Sequence, residues 1–188
     1  MKFDTTGIKG AWIVDLPRYE DERGWFQEWF RFSHFFEEVG VKFSPVQANV
    51  SKSHAGTVRG IHYSIAPAGQ GKLVTVMSGA VDDYVIDVRV GSPTFGQWRR
   101  IQLNEANGRA VLLDPHLGHA FQALSDNTVV SYLVSEEYNP AMELGINPLC
   151  PEVAIAWPSN LALRISDKDL LSPGLTLQRE HGLLPKSD

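Results

Sequence analysis

The sequence predicts an all-β fold, an antiparallel jelly roll with short flanking helices. Three observations carry this. Short runs rich in Val, Ile, Thr, Tyr and Phe follow one another from about residue 45 to 135, as strands do. Turns bearing Gly and Pro separate them at regular spacing, the rhythm of sandwiches and barrels. Helical patterning is confined to the two flanks.

Taken in order, SHFFEEVG (33–40) reads as a helix with Ser33 as its N-cap and Gly40 as its stop. GTVRGIHYS (56–64) reads as a short strand, although its middle holds Arg59, Gly60 and His62. KLVTVMSGAVDDYVIDVRVG (72–91) contains two strands parted by Ser78-Gly79, a pair that favours a tight hairpin. In the second of them Ala80, Tyr84, Ile86, Val88 and Val90 share one face. Val81, Asp83, Val85, Asp87 and Arg89 share the other, and Asp82 interrupts the apolar set. GSPTFGQW is turn chemistry before a strand RRIQLN, and GRAVLLD and GHAFQAL are two more strands around a turn. NTVVSYLVS follows the turn signal Asp126-Asn127. In SDKDLLSPG (166–174) a serine precedes an aspartate by three residues, the capping-box spacing.

With 188 residues, 43% apolar and 21% charged, the chain suits one buried domain spanning 1–188. It has no repeat, low-complexity tract or linker-like stretch. A net charge of −5 and a pI near 5.7 argue against nucleic acid or an anionic membrane as partner. A phosphate ligand then needs a locally basic pocket. Cys150, the single cysteine, excludes an intrachain disulfide, suits a reducing compartment and reads as a small buried apolar side chain. MKFDTTGIKG lacks the apolar core of a signal peptide and no run is long enough to span a membrane. A soluble cytoplasmic protein is the expectation.

Among the histidines, His34, His54 and His181 read as surface residues, and Asp114-Pro115-His116 as an ordinary turn. His62 and His119 lie in strands, where histidine adds little β-propensity. Each is read either as a hydrogen-bonded core histidine or as a functional one. Strict alternation puts Arg59 and His62 on opposite faces, and Gly60 between them permits a bulge that turns both to one side. A metal-binding β-barrel offers two histidines at i and i+2 with a carboxylate and a third histidine. Here Ser64 lies two after His62 and Gly60 two before it, so no metal site is expected. Acid–base chemistry is left, with His62, Lys72 after the loop APAGQG, Tyr132 and the carboxylates Asp167 and Asp169 as ingredients. Spacing alone names no reaction.

DERGWF, QANVSKSHAGTVRGIHY, GQGKLVTVMSGAV, DVRVGSPTFGQW, GHAF, SYLVSEEYNP, ELGI, AIAWP and SDKD occur in this order, from about residue 8 to 175. Together they resemble the dTDP-4-dehydrorhamnose 3,5-epimerase family, cupin-type jelly rolls that act on nucleotide-linked 4-keto-6-deoxy sugars. RVGSPTFGQW and GHAF are closer to members that make deoxysugars for natural products. The resemblance implies that His62 is the general base, Asp169 its carboxylate partner and Tyr132 the acid across the ring. It implies Lys72 at the ketone oxygen, His119 lining the site, Arg59 on the diphosphate, and Gln47 and Asn49 at the nucleotide. It further implies Tyr138 stacked on the thymine, Glu143 and Lys168 as binding residues, and Arg23 and Glu28 reaching the ligand from a partner subunit. A homodimer without cofactor, binding a dTDP-linked 4-keto-6-deoxy sugar, is what the family implies.

The chemistry suits these roles. Epimerisation beside a ketone removes a proton from one face and returns one to the other. A histidine of ordinary pKa, about 6.5, accepts a proton near neutrality and a tyrosine at about 10 can donate one. An aspartate orients the imidazole, and an ammonium at the ketone oxygen stabilises the enolate by about 3–4 kcal/mol. Arginine's planar fork matches a diphosphate. Two departures stand out. His116 takes the glycine position of the family's Pro-x-Gly turn, where it can narrow or reshape the pocket mouth. Asp82 and Tyr84 replace residues commonly apolar in the family, altering the sugar pocket if their face points inward and nothing if it points outward. Inversion at C3 alone, a non-catalytic sugar-nucleotide binder, and a metal-dependent cupin oxygenase are the competing functions.

Overall fold

The computed structural model describes residues 1–40 and 43–187. Its strands, in chain order, are β1 (Lys2–Thr5), β2 (Ala11–Asp15), β3 (Arg18–Asp21), β4 (Gly24–Gln27), β5 (Gln47–Ser53), β6 (Val58–Ser64) and β7 (Lys72–Ser78). There follow β8 (Ala80–Ile86), β9 (Trp98–Asn104), β10 (Arg109–Leu113), β11 (Gly118–Ala123), β12 (Thr128–Val134) and β13 (Glu143–Gly145). The helices are α1 (Phe32–Val39), α2 (Asp167–Leu170) and α3 (Leu175–Glu180). None is long and apolar enough to cross a membrane.

Two antiparallel sheets face one another, in the orders β1-β2-β10-β7-β12-β5 and β13-β6-β11-β8-β9, and β3 and β4 form a separate hairpin. The jelly-roll expectation therefore holds. Alternation assigns the faces. Val74, Val76, Val111 and Val130 of the first sheet meet Val81, Val85, Ile101, Leu103 and Phe121 of the second in the central core. The outer face of the first sheet is closed by α1 and its neighbours, through Phe30, Phe35 and Phe43 against Leu73, Ala110 and Leu112. Tyr84, Ile86 and Ala120 on the outer face of the second are covered by Ile146, Val153, Ile155 and Leu175. At one end of the sandwich the inward positions turn polar, and there the core gives way to a cavity.

Two sequence expectations are corrected, and several elements carry no clear sequence signal. Ser78-Gly79 does not close a hairpin: β7 pairs with β10 and β12 while β8 pairs with β11 and β9. Both edges of β7 are taken, so the chain crosses between sheets at Gly79. A Cβ there would lie 2.5 Å from Thr128 Oγ1, and φ is +79°, both of which select glycine. The N-cap of α1 is Arg31, not Ser33, and no side chain caps it; Gly40 does end it, in the left-handed region. Finally, the N-terminal strands, the β3–β4 hairpin, β13 and α3 lie outside the stretch where strand or helix signals are strong. Ser166 caps α2 as its spacing suggests, accepting the Asp169 N–H.

Candidate active site

The cavity has two joined lobes of about 320 and 390 Å³, and His62, Lys72, Tyr132, Lys168 and Asp169 line both. His62 comes from β6 of one sheet, while Lys72 and Tyr132 come from β7 and β12 of the other. The two histidines face each other in register, His62 on β6 opposite His119 on β11.

Local structure explains how β6 serves the cavity with two side chains. Between His119/His62 and Phe121/Arg59 the register shifts, so three steps on β6 oppose two on β11. This is the bulge expected at Gly60, and it turns Arg59 to the same side as His62. Gly60 has φ +117°, and a Cβ on it would sit 2.5 Å from the carbonyl oxygen of His119 and 2.7 Å from Cα of Ala120. Backbone cannot yield as a flexible side chain can, so only glycine fits. The peptide after it is cis.

His62 Nε2 lies 2.7 Å from Asp169 Oδ1. Burial of Asp169 favours the neutral acid. Hydrogen bonds from His62, the Ser166 hydroxyl and the Gly60 N–H, with the His62 charge, outweigh that and hold the carboxyl below the usual range. With Nε2 engaged by a carboxylate, Nδ1 is the ring nitrogen left to His62 in the cavity wall. Lys72 is buried, which pulls its ammonium below the ordinary lysine value, against the opposing charge of Glu143. Burial also raises the Tyr132 phenol; the Arg59 charge lowers it and Glu143 raises it further. Tyr132 thus stays a proton donor at neutral pH.

The remaining predicted residues divide into two groups. Arg59 and His119 line one lobe, and Gln47, Asn49, Tyr138 and Glu143 the other. Gln47 Nε2 donates to Asn49 Oδ1 at 2.8 Å and Gln47 Oε1 accepts the Tyr138 N–H at 2.9 Å, a chain that ties β5 to the Tyr138 loop. Arg59 Nε donates to Ser53 Oγ at 3.2 Å. Arg23 and Glu28 are not brought to the cavity. Arg23 pairs with Asp21 and Glu28 with Arg31, each at 2.6 Å, around the β3–β4 hairpin.

His116 does have φ +72°, but it lines a different cavity with Lys9, Asp114 and Lys186, so it does not shape this pocket mouth. Asp82 and Tyr84 point away from the site. Tyr84 packs on Trp98 and Trp157, and Asp82 approaches Arg100 at 3.6 Å. Sequence reasoning missed Asp83, which pairs with His119 at 2.7 Å. Its signal was present: alternation sets it between Val81 and Val85 on the apolar face, where an unpartnered carboxylate has no place.

Residues 5–176 match the model of a family described as dTDP-4-dehydrorhamnose 3,5-epimerase. A dTDP-4-dehydrorhamnose 3-epimerase of Streptomyces niveus is 43% identical over 98% of this chain and 89% of the relative. Among solved structures, NovW, a 4-keto-6-deoxy sugar epimerase from the novobiocin biosynthetic gene cluster of Streptomyces spheroides, superposes with TM-score 0.95. It is 42% identical, over 99% of this chain and 93% of NovW. ChmJ, a 3'-monoepimerase from Streptomyces bikiniensis solved with dTDP-quinovose, gives TM-score 0.92 and 42% identity over 96% and 91% of the two chains.

Proposed function

The chain belongs to the dTDP-4-dehydrorhamnose 3,5-epimerase family, and on that premise we propose how its cavity works as an isomerase of dTDP-linked 4-keto-6-deoxyhexoses. His62 takes the proton from the carbon beside the ketone on Nδ1, and Asp169 holds the ring and stabilises the imidazolium. The electron pair moves to the ketone oxygen, where Lys72 offsets the charge. Tyr132 returns a proton to the opposite face. Because the ketone itself acidifies its neighbours, no cofactor enters the scheme.

One observation carries this reading: the base and the acid project into one cavity from opposite sheets. A ring held between them presents one face to each. Nucleotide binding supplies the positioning energy, with Arg59 on the diphosphate, Gln47 and Asn49 at the nucleotide, Tyr138 stacked on the thymine, and Glu143 and Lys168 as further binding residues. In this reading the protein is a homodimer acting in the cytoplasm. Arg23 and Glu28 complete the partner's site from the β3–β4 hairpin, whose Tyr19, Trp25 and Phe26 are exposed as a docking arm would have them.

C3 and C5 share this base and acid. A second reading, inversion at C3 alone, is favoured by the 3-epimerase of Streptomyces niveus and the 3'-monoepimerase ChmJ among the relatives. Incubation with dTDP-4-keto-6-deoxyglucose in D2O, read by NMR, decides. Deuterium at both carbons marks a double epimerase, at C3 only a single one, and at neither a binding protein, which ends the proposal.

A further inference from the structure

A second histidine–aspartate pair faces the same cavity, and the scheme above gives its carboxylate no task. His119 Nε2 lies 2.7 Å from Asp83 Oδ2. Asp83 is fully buried, and its Oδ1 has no hydrogen-bond partner among the described residues. A lone buried carboxylate is costly, and a pair carrying no net charge avoids that cost. Such a pair exists in two forms. In one, Asp83 keeps a proton and donates it to Nε2, so the neutral ring bears its own proton on Nδ1. In the other, Asp83 is ionised and the imidazolium is protonated at both nitrogens. Either way Nδ1 carries an N–H. The Nε2 edge is taken by Asp83, so Nδ1 is the polar edge left to His119 in the cavity wall.

We propose that Asp83 is a positioning residue that makes His119 a hydrogen-bond donor, through Nδ1, to the ketone oxygen of the bound sugar beside Lys72. This rests on the enolate reading. When the C–H proton passes to His62 and the electron pair settles on that oxygen, the Nδ1–H and the Lys72 ammonium share the new charge. No proton need leave His119. Asp83 never touches the sugar and acts only through the ring it holds.

The test compares Asp83→Val, Asp83→Asn, His119→Ala and the double variant Asp83→Val/His119→Ala by steady-state kinetics and by deuterium exchange. Asp83→Val should lower kcat about 10²-fold, the scale of one lost oxyanion donor, with KM little changed. Asp83→Asn should keep more activity, because its carboxamide can donate to Nε2 and so preserve the Nδ1 proton. In the His119→Ala background Asp83→Val should cost nothing further. A full additional loss there, or native kcat in Asp83→Val alone, overturns the proposal. ¹⁵N NMR of the native protein gives a check free of folding effects: a protonated His119 Nδ1 supports it and a bare one overturns it. Native enzyme that exchanges at neither carbon would instead sink the epimerase reading itself.

Discussion

His62 with Asp169 and His119 with Asp83 are built from the same residue types, each pair at 2.7 Å, with the two histidines on adjacent strands of one sheet. Their surroundings differ. The side chains of His62 and Asp169 are 40% and 8% exposed, those of His119 and Asp83 12% and 0%. Asp169 also receives the Ser166 hydroxyl and the Gly60 N–H. Asp83 has an oxygen without a partner among the described residues. A carboxylate with several donors can stay ionised beside a neutral imidazole, which leaves a basic nitrogen facing the sugar. One with a single donor is, in the proposal above, paired with a ring that keeps its N–H on Nδ1. In the scheme proposed here, the number of hydrogen bonds on the carboxylate, not the identity of the pair, separates base from donor.

The largest break in this comparison is His62→Ala. Loss of the base should lower exchange at every carbon by at least ~10³-fold, within the range of general base catalysis. Isotope exchange measured by NMR checks it, and near-native exchange would refute the base assignment. His119→Ala should cost about 10²-fold, as for one oxyanion donor; equal losses from the two histidines would erase the distinction between the pairs. Lys72→Met should lower kcat by ~10²–10³-fold, because it removes the charge that both readings place at the ketone oxygen. Nucleotide affinity, measured by calorimetry with dTDP, should hardly change. Tyr132→Phe sharpens the contrast between the sheets: net inversion should fall about tenfold more than proton abstraction, since only the return step uses the phenol. Parallel losses in both would count against its acid role.

Much of this site was legible in the sequence because its residues lie in short, collinear motifs. The strands of residues 45–135 were readable from alternation, and Gly60 announced its bulge. Strand partners were not. The Ser78-Gly79 pair looks like a hairpin turn, and nothing local reveals that β7 has both edges occupied. Asp83 was placed on the correct face but had no role until β11 brought His119 against it, a contact between positions 36 apart in the chain. His116 shows the reverse error: the family's turn position was recognised, yet the turn faces a different cavity. Arg23 and Glu28 remain legible only through the family, because one chain does not complete the surface they are expected to serve.

Asp114 supplies the smallest effect and a control for the other two carboxylates. It is half-buried, shares its cavity with Lys9, Arg89, His116 and Lys186, and is paired with no histidine among the described residues. Burial pushes its carboxyl up to about 6, with Arg89 and Lys9 pulling the other way. An unfolded aspartate titrates near 3.9. Between these values the unfolded chain has released the proton and the folded one still holds it, so this group's contribution to stability falls as pH rises from about 4 to 6 and is flat beyond. Asp114→Asn mimics the protonated acid and should therefore stabilise at pH 7.5 and have little effect at pH 4. The full shift is worth ~3 kcal/mol; solvent screening at a partly exposed group reduces this to ~1 kcal/mol. For a chain of this size that is about 2–4 °C in Tm. Calorimetric Tm differences between variant and native at the two pH values measure it. A gain of equal size at both would mean that packing, not desolvation, sets the behaviour of Asp114, and the account of Asp169 as a buried acid rescued by its hydrogen bonds would lose its reference point.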